Sequence, residues 1–95
     1  MNELPTFSLD EAWQLHPRVA VRPERFGALL YHFDTRRLSF LKSPQLLEVV
    51  RDLAECPTAR AACVRAGVGP EALPSVSTAL ATLARSSMIC LRTEE

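Results

Sequence analysis

The histidines and cysteines of this sequence, side chains that could ligate a metal or act as nucleophiles, are His16, His32, Cys56, Cys63 and Cys90. Imidazole and thiolate groups do such chemistry when several of them converge on one point. Here one histidine precedes a proline, the other stands alone in an apolar segment, and the three cysteines share no metal-binding spacing. We therefore expect reduced cysteines, no catalytic residue, no metal site, no cofactor, and a protein that is not an enzyme.

The composition indicates one small globular domain. The chain has 95 residues, 47% of them hydrophobic, and its eleven basic residues equal its eleven acidic ones. A chain of this length holds one modest core, and general binders of nucleic acid or membrane surfaces are usually basic. Its first residues lack the pattern of a signal peptide, and no apolar run is as long as a membrane span. We expect a cytoplasmic protein without a membrane partner.

Three segments have the two-residue period of β-strands, at residues 18–22, 28–33 and 37–41. Pro23 ends the first strand, and Asp34-Thr35 predicts a tight turn between the second and the third. The second strand is apolar on both faces, so we expect both faces to be covered.

The third strand alternates in the same way. We expect Leu38 and Phe40 to face the core, and Ser39 and Leu41 to lie on the opposite face.

The rest of the chain predicts helices. Ser43 followed by Pro44 is typical of a helix start, Thr58 begins a second helix, and residues 69–71 open a third. Near the N-terminus, the pair Ser8 and Glu11 has the form of a capping box. It predicts a short helical turn at residues 9–14, within an N-terminal flap formed by residues 1–17.

These elements predict an α+β fold, a winged-helix-like arrangement in which a three-stranded antiparallel β-meander is followed by three α-helices. The third strand is then an edge strand, and a groove lies between it and the last helix. In the last helix Leu73, Val76, Leu80 and Leu83 form the core stripe. Ala79 and Thr82 lie on a flank of small side chains, which allows another backbone to approach. We infer that this groove suits an extended peptide added as a strand.

A winged-helix DNA-binding regulator is the alternative, because a helix-turn-helix beside a wing is a geometry that reads DNA. Against it, the last helix carries one arginine and one glutamate among alanine, leucine, serine and threonine. Phosphate contacts need lysine or arginine. The basic residues between Arg18 and Lys42 fit an acidic partner segment, or are a solvated strand face.

Residues 22–29, which read Arg-Pro-Glu-Arg-Phe-Gly-Ala-Leu, are followed by Tyr31-His-Phe33 and by Leu38-Ser-Phe-Leu41. This run resembles the mycofactocin biosynthesis chaperone family, a group of PqqD-like peptide-recognition domains, and the likeness extends from about Trp13 to Leu91. The resemblance implies a non-catalytic recognition domain at residues 18–92.

According to the resemblance, the domain captures the leader of a ribosomally made precursor peptide and presents it to a radical S-adenosylmethionine maturase. The leader is added as a strand beside the third strand, against the last helix. Carried over by position, the peptide-binding residues are Arg37, Leu38, Ser39, Phe40 and Leu41 for backbone pairing, and Val76, Ala79, Leu80 and Leu83 for the pocket wall. The expected partners are this peptide and the maturase, with no nucleic acid. The protein is expected to be a monomer or a strand-swapped dimer.

Overall fold

A meander of three strands followed by three helices forms most of the structure. The computed structural model describes residues 6–92, so residues 1–5 of the predicted flap and residues 93–95 lie outside it. The elements, in chain order, are β1 (Trp13–Leu15), β2 (Val19–Glu24), β3 (Gly27–His32), β4 (Leu38–Leu41), α1 (Pro44–Asp52), a 3-10 turn (Leu53–Glu55), α2 (Ala59–Arg65), α3 (Leu73–Arg85) and β5 (Ile89–Leu91).

The strands form two antiparallel sheets. One has the order β2-β3-β4, and the other pairs β1 with β5. The α+β class, the three-stranded antiparallel meander and the three helices are therefore confirmed. The helical turn predicted at residues 9–14 is wrong: Trp13 opens strand β1 and pairs with Leu91. The pairing partners are almost the whole chain apart, and local capping signals carry no information about such a partner.

The β2–β3 hairpin is tighter than expected. Strand β2 continues through Pro23 to Glu24, which pairs with Gly27, so the prediction that Pro23 ends the strand is wrong. The Phe33 N–H donates to the carbonyl of Arg18 at 2.8 Å, and antiparallel ladders alternate between bonded and non-bonded pairs. Pro23 therefore falls at a non-bonded position on an edge strand, where its missing N–H breaks no ladder bond.

The turn between β3 and β4 is also longer than the predicted Asp34-Thr35 pair. Five residues, 33–37, connect the strands, and Arg36 within this loop has a left-handed φ of 64°. Its N–H donates to the His32 carbonyl at 2.8 Å.

The faces of the sheet are reversed relative to the prediction for β4. Leu41 is fully buried, whereas Leu38 and Phe40 are 59% and 56% exposed. The register pairs Leu41 with Ala28 and Ser39 with Leu30, so these four residues share the face that the helices cover. The opposite face of β3 is only partly covered, since Phe33 is 49% exposed. The prediction that both faces of β3 are covered is therefore wrong.

The helix starts follow the capping signals. The Ser43 hydroxyl accepts from the Leu46 N–H, and the Thr58 hydroxyl accepts from the Ala61 N–H. Helix α3 begins at Leu73, later than residues 69–71 predicted, because the N–H groups of Ala72 and Leu73 both bond the Gly69 carbonyl in a turn.

The core lies between the covered face of the β2-β3-β4 sheet, the helices and the β1–β5 pair. Its largest fully buried side chains are Trp13, Leu30, Leu41, Leu53, Leu80, Met88 and Ile89. The Trp13 indole donates to the Ser8 carbonyl at 2.9 Å. The Arg92 guanidinium donates to the carbonyls of Ala54 and Cys56 at 2.6 and 2.8 Å, which fixes the end of β5 against the 3-10 turn. Within residues 6–92, the helices are too short or too polar to cross a membrane.

Candidate functional site

Strand β4 is an edge of its sheet, and its outward backbone groups can be assigned. The His32 N–H donates to the Arg37 carbonyl at 3.0 Å, so the bonded positions of β4 alternate from Arg37 through Ser39 to Leu41. The N–H and C=O groups of Leu38 and Phe40 consequently point away from β3. Within the described residues, no strand lies on that side of β4.

A groove of about 350 Å³ lies between this edge and helix α3. Its lining comes from β4 and the residue after it, from the start of α1 and from the C-terminal half of α3: Ser39, Phe40, Leu41, Lys42, Leu46, Ala79, Thr82 and Leu83. The lining is mainly apolar, with Lys42 as its one charged residue. An apolar groove beside a free strand edge is the arrangement in which an extended peptide binds by strand addition.

Small side chains on α3 leave the space that forms the groove. Ala79 presents only a methyl group, and the Thr82 hydroxyl already donates to the Thr78 carbonyl at 3.1 Å. Because that hydroxyl hydrogen is already donated within the helix, Thr82 adds no free hydroxyl donor to the groove. The buried Leu83 anchors the helix to the core and closes the floor.

A second cavity of about 230 Å³ continues the same cleft toward the other end of β4. It is lined by Thr35, Arg37, Arg85, Ser86 and Ser87. The two cavities follow β4 and α3 in opposite directions along the chain, so strand and helix run antiparallel here. Arginines at one end and Lys42 at the other give the cleft two basic ends and an apolar centre.

The structure brings together five of the predicted peptide-binding residues. Ser39, Phe40, Leu41, Ala79 and Leu83 line the groove. Of the other four, Arg37 lines the second cavity, and the Leu38 side chain projects from the opposite face. Leu80 is fully buried in the core and Val76 is partly buried against it, so both lie behind the groove rather than on its surface.

Sequence reasoning missed Lys42 and Leu46 as groove residues. Leu46 follows closely on the capping motif; it is half-buried, packs against the core and also lines the groove. The position of Leu46, three residues after the cap Ser43, could have predicted this role. The first turn of α1 follows closely on the end of β4, so a side chain of that turn lies near the edge strand. Thr82 was noted only as a small flanking residue.

The two histidines and three cysteines, the residues considered above as possible ligands or nucleophiles, do not form a reactive centre. The centroids of the His16 and His32 rings lie 4.5 Å apart, with the rings tilted by 47°. Each Nδ1 accepts a backbone N–H, from Arg18 and Asp34 respectively. Cys56, Cys63 and Cys90 are free thiols. Burial raises the pKa of the Cys63 thiol, and the nearby Arg60 offsets this only in part, so the thiolate needed for nucleophilic attack is disfavoured. Among residues 6–92, no three His, Cys, Asp or Glu side chains are grouped to hold a metal.

Comparison with known proteins identifies relatives across nearly the whole chain. A model of the peptide chaperone MftB family matches residues 12–90. The peptide chaperone MftB of Mycobacterium tuberculosis is 54% identical over 86 residues, which cover 90% of this chain and 79% of that protein. The one of Mycolicibacterium smegmatis is 52% identical over 84 residues, covering 88% and 82%. The one of Mycobacterium ulcerans is 54% identical over 83 residues, covering 87% and 76%.

The names of these relatives describe a chaperone and not a catalyst, which confirms the prediction that the chain is not an enzyme. The predicted resemblance is likewise confirmed. No solved structure gave a significant match, so the winged-helix-like and PqqD-like descriptions of the fold stay predictions.

Proposed function

This chain belongs to the peptide chaperone MftB family, and we propose that it binds the leader of a ribosomally made precursor peptide by strand addition and presents it to a radical S-adenosylmethionine maturase. The leader pairs with β4 and packs its alternate side chains into the groove against α3. The protein itself supplies recognition and leaves the chemistry to the maturase.

The observation that carries this proposal is the free edge of β4 beside the groove. Two residues, Leu38 and Phe40, direct two N–H donors and two C=O acceptors outward, so an added strand can form about four hydrogen bonds. Side chains on one face of that strand point toward α3, where Ala79 and the neighbouring Leu46 of α1 present apolar surface. Backbone pairing supplies affinity, and the groove supplies selectivity.

The magnitudes fit reversible capture. About four hydrogen bonds contribute ~0.5–1.5 kcal/mol each, and two buried apolar side chains contribute ~1.5–3 kcal/mol each. These contributions sum to ~5–12 kcal/mol. With an association cost of ~4 kcal/mol, the lower end of the accepted range, the largest net gain is ~8 kcal/mol, so a dissociation constant of about 1 μM is the tightest binding expected. Such binding is tight enough to capture a peptide and loose enough to release it.

Isothermal titration of the protein with the full synthetic precursor peptide tests the proposal. We expect binding near the micromolar range, and loss of that binding when the leader is truncated. A duplex oligonucleotide in the same buffer is the control for the DNA-binding alternative. Salt-sensitive binding of the duplex together with indifference to the peptide would replace the chaperone with a regulator.

A further inference from the structure

The face of the β2-β3-β4 sheet that the helices leave uncovered is unusually apolar. Six large hydrophobic side chains are exposed among residues 6–92, and four of them lie on this side: Phe26, Phe33, Leu38 and Phe40, each between 47% and 59% exposed. The other two, Val64 and Leu91, lie apart on α2 and β5. Large contiguous apolar patches on a soluble protein mark interaction sites, whereas single exposed side chains do not.

These side chains form one continuous surface with the partly buried Leu29 and Tyr31. Leu29 pairs across the strands with Phe40, and Tyr31 pairs with Leu38. Aromatic contacts extend the surface at both ends, since the Phe26 and Phe40 rings lie 6.2 Å apart and those of Tyr31 and Phe33 lie 5.4 Å apart. We call this surface the open face; it consists of Phe26, Leu29, Tyr31, Phe33, Leu38 and Phe40.

The charged residues at the rim of the open face favour a partner whose surface carries acidic residues. Arg22 pairs across the strands with Leu29. Arg25 directly precedes Phe26, so both arginines border the open face. Glu24 pairs with Arg22, whereas among the described residues Arg25 has no acidic partner.

The Arg18 guanidinium lies 5.9 Å from the centre of the Phe33 ring, and Asp34 shares its charge at 3.1 Å, so a paired cation borders the patch. A second copy would bring two basic rims together across a two-fold axis, which is unfavourable. A protein surface with apolar side chains and a carboxylate rim is complementary.

The open face also adjoins the proposed peptide. A strand added to β4 alternates its side chains, so every second one points away from the groove. Those side chains continue the surface formed by Leu38 and Phe40. A partner on the open face therefore contacts the chaperone and half of the captured peptide's side chains at once.

We propose that the open face, extended by the bound leader, is the docking surface for the enzyme that modifies the peptide. This inference rests on the proposed function. The inference extends the proposed function by assigning the two faces of the captured strand to different partners. Side chains on one face contact the groove, and side chains on the other contact the enzyme. The enzyme's matching surface is apolar and rimmed by Asp or Glu. Peptide and enzyme then strengthen each other's binding by the same factor.

The test uses the double variant Phe26→Ser, Phe33→Ser. Both residues belong to the open face, are about half exposed, and lie outside β4 and the groove lining. The matched control is Val64→Ser, which removes a 70% exposed hydrophobic side chain from α2. Each variant is titrated separately with the precursor peptide and with the radical S-adenosylmethionine maturase, the latter with and without peptide.

We expect the double variant to weaken maturase binding at least about tenfold, while its peptide affinity stays within about twofold of the wild type. Val64→Ser should behave as the wild type in both titrations. Arg25→Glu, at the rim, should also weaken maturase binding, most strongly at low salt, whereas Arg51→Glu on α1 should not.

Unchanged maturase binding in the double variant would overturn the inference and leave the proposed function intact. No maturase binding by the wild type would overturn the inference together with the presentation step, while the peptide titration judges leader capture by itself. A wild-type protein that sediments as a dimer, and a double variant that sediments as a monomer, would assign the open face to a second copy instead.

Discussion

The two edges of the β2-β3-β4 sheet have different construction, although each exposes a row of backbone groups. Strand β2 carries Pro23 at an outward position and an exposed ion pair between Arg22 and Glu24, 3.0 Å apart. Proline and charge are common protections of an edge against strand addition. Strand β4, with the sequence Leu-Ser-Phe-Leu, has neither feature within its own span, and it borders a groove.

Under the proposed function, an unpaired edge alone does not make a binding site. Strand β2 also offers outward carbonyls, but among the described residues no helix stands beside it to receive the side chains of an added strand. Strand β4 is flanked by α3 and the start of α1, which together with β4 line the groove that can receive those side chains. We infer that the pairing of edge and groove, rather than the edge alone, makes one side of this sheet functional.

The largest effect is expected from disrupting the close contact between the backbones of Gly27 and Leu41, which holds β4 against β3. At Gly27 the φ angle is +152°, and an added Cβ would overlap the Leu41 carbonyl and lie 2.9 Å from the Ser43 nitrogen. Gly27→Ala should lower the free energy of unfolding by about 4 kcal/mol or more, as measured by denaturant titration.

The matched control is Gly69→Ala. A Cβ at Gly69 meets only the flexible carboxylate of Glu71, so stability should change little. Equal stability of the two variants would mean that β4 does not need the contact between Gly27 and Leu41.

The second prediction removes one outward donor from β4. Phe40→Pro should weaken peptide binding roughly thirtyfold, because a hydrogen bond is lost and the ring obstructs the added strand. Calorimetric titration measures the effect. Phe40→Ala keeps the N–H and should retain most of the affinity, and Val21→Pro, which puts proline at an outward position of β2, should leave affinity unchanged.

Ser39→Pro is a different experiment, because Ser39 falls at a bonded position facing β3. It should destabilise the sheet itself. If Phe40→Pro binds the peptide normally, the free edge of β4 is not the site.

The third prediction fills the groove and leaves the edge intact. Ala79→Trp should weaken peptide binding about tenfold with the melting temperature nearly unchanged, since Ala79 is only half-buried. Thr78→Trp, one residue earlier and exposed, is the control and should bind normally. A large loss of stability in Ala79→Trp would place Ala79 in the core instead.

The smallest effect is expected from opening the protected edge. Pro23→Thr gives β2 an outward N–H and should change the free energy of unfolding by no more than about 0.5 kcal/mol, with the peptide affinity unchanged. Light scattering at high concentration should show slightly more self-association. Tighter peptide binding by this variant would indicate that β2 can also accept the leader.

The local elements were predictable from the sequence because their signals are local. Ser43 and Thr58 cap the helices they were expected to cap, and the alternating segments form the three strands of the meander. The groove between the third strand and the last helix was also expected, and Ala79 and Leu83 do line it.

The orientation of β4 was not predictable in the same way. Leu38, Phe40 and Leu41 are all large and apolar, so a period of two separates the faces without saying which one is buried. Leu41 is inside because it pairs with Ala28 and because the backbone of Gly27 lies against it. The partnership of β1 with β5 and the place of Leu46 in the groove depend equally on contacts between distant segments.

The sequence by itself therefore determined the α+β class, the order of the three meander strands and the three helices, the helix caps and the family, because the signal for each lies in neighbouring residues. Only the tertiary structure decided which face of the sheet the helices cover and which backbone groups of β4 point outward. It also decided which side chains of α3 reach the groove. Register and packing set these features, and both depend on pairs of residues that the linear order keeps apart.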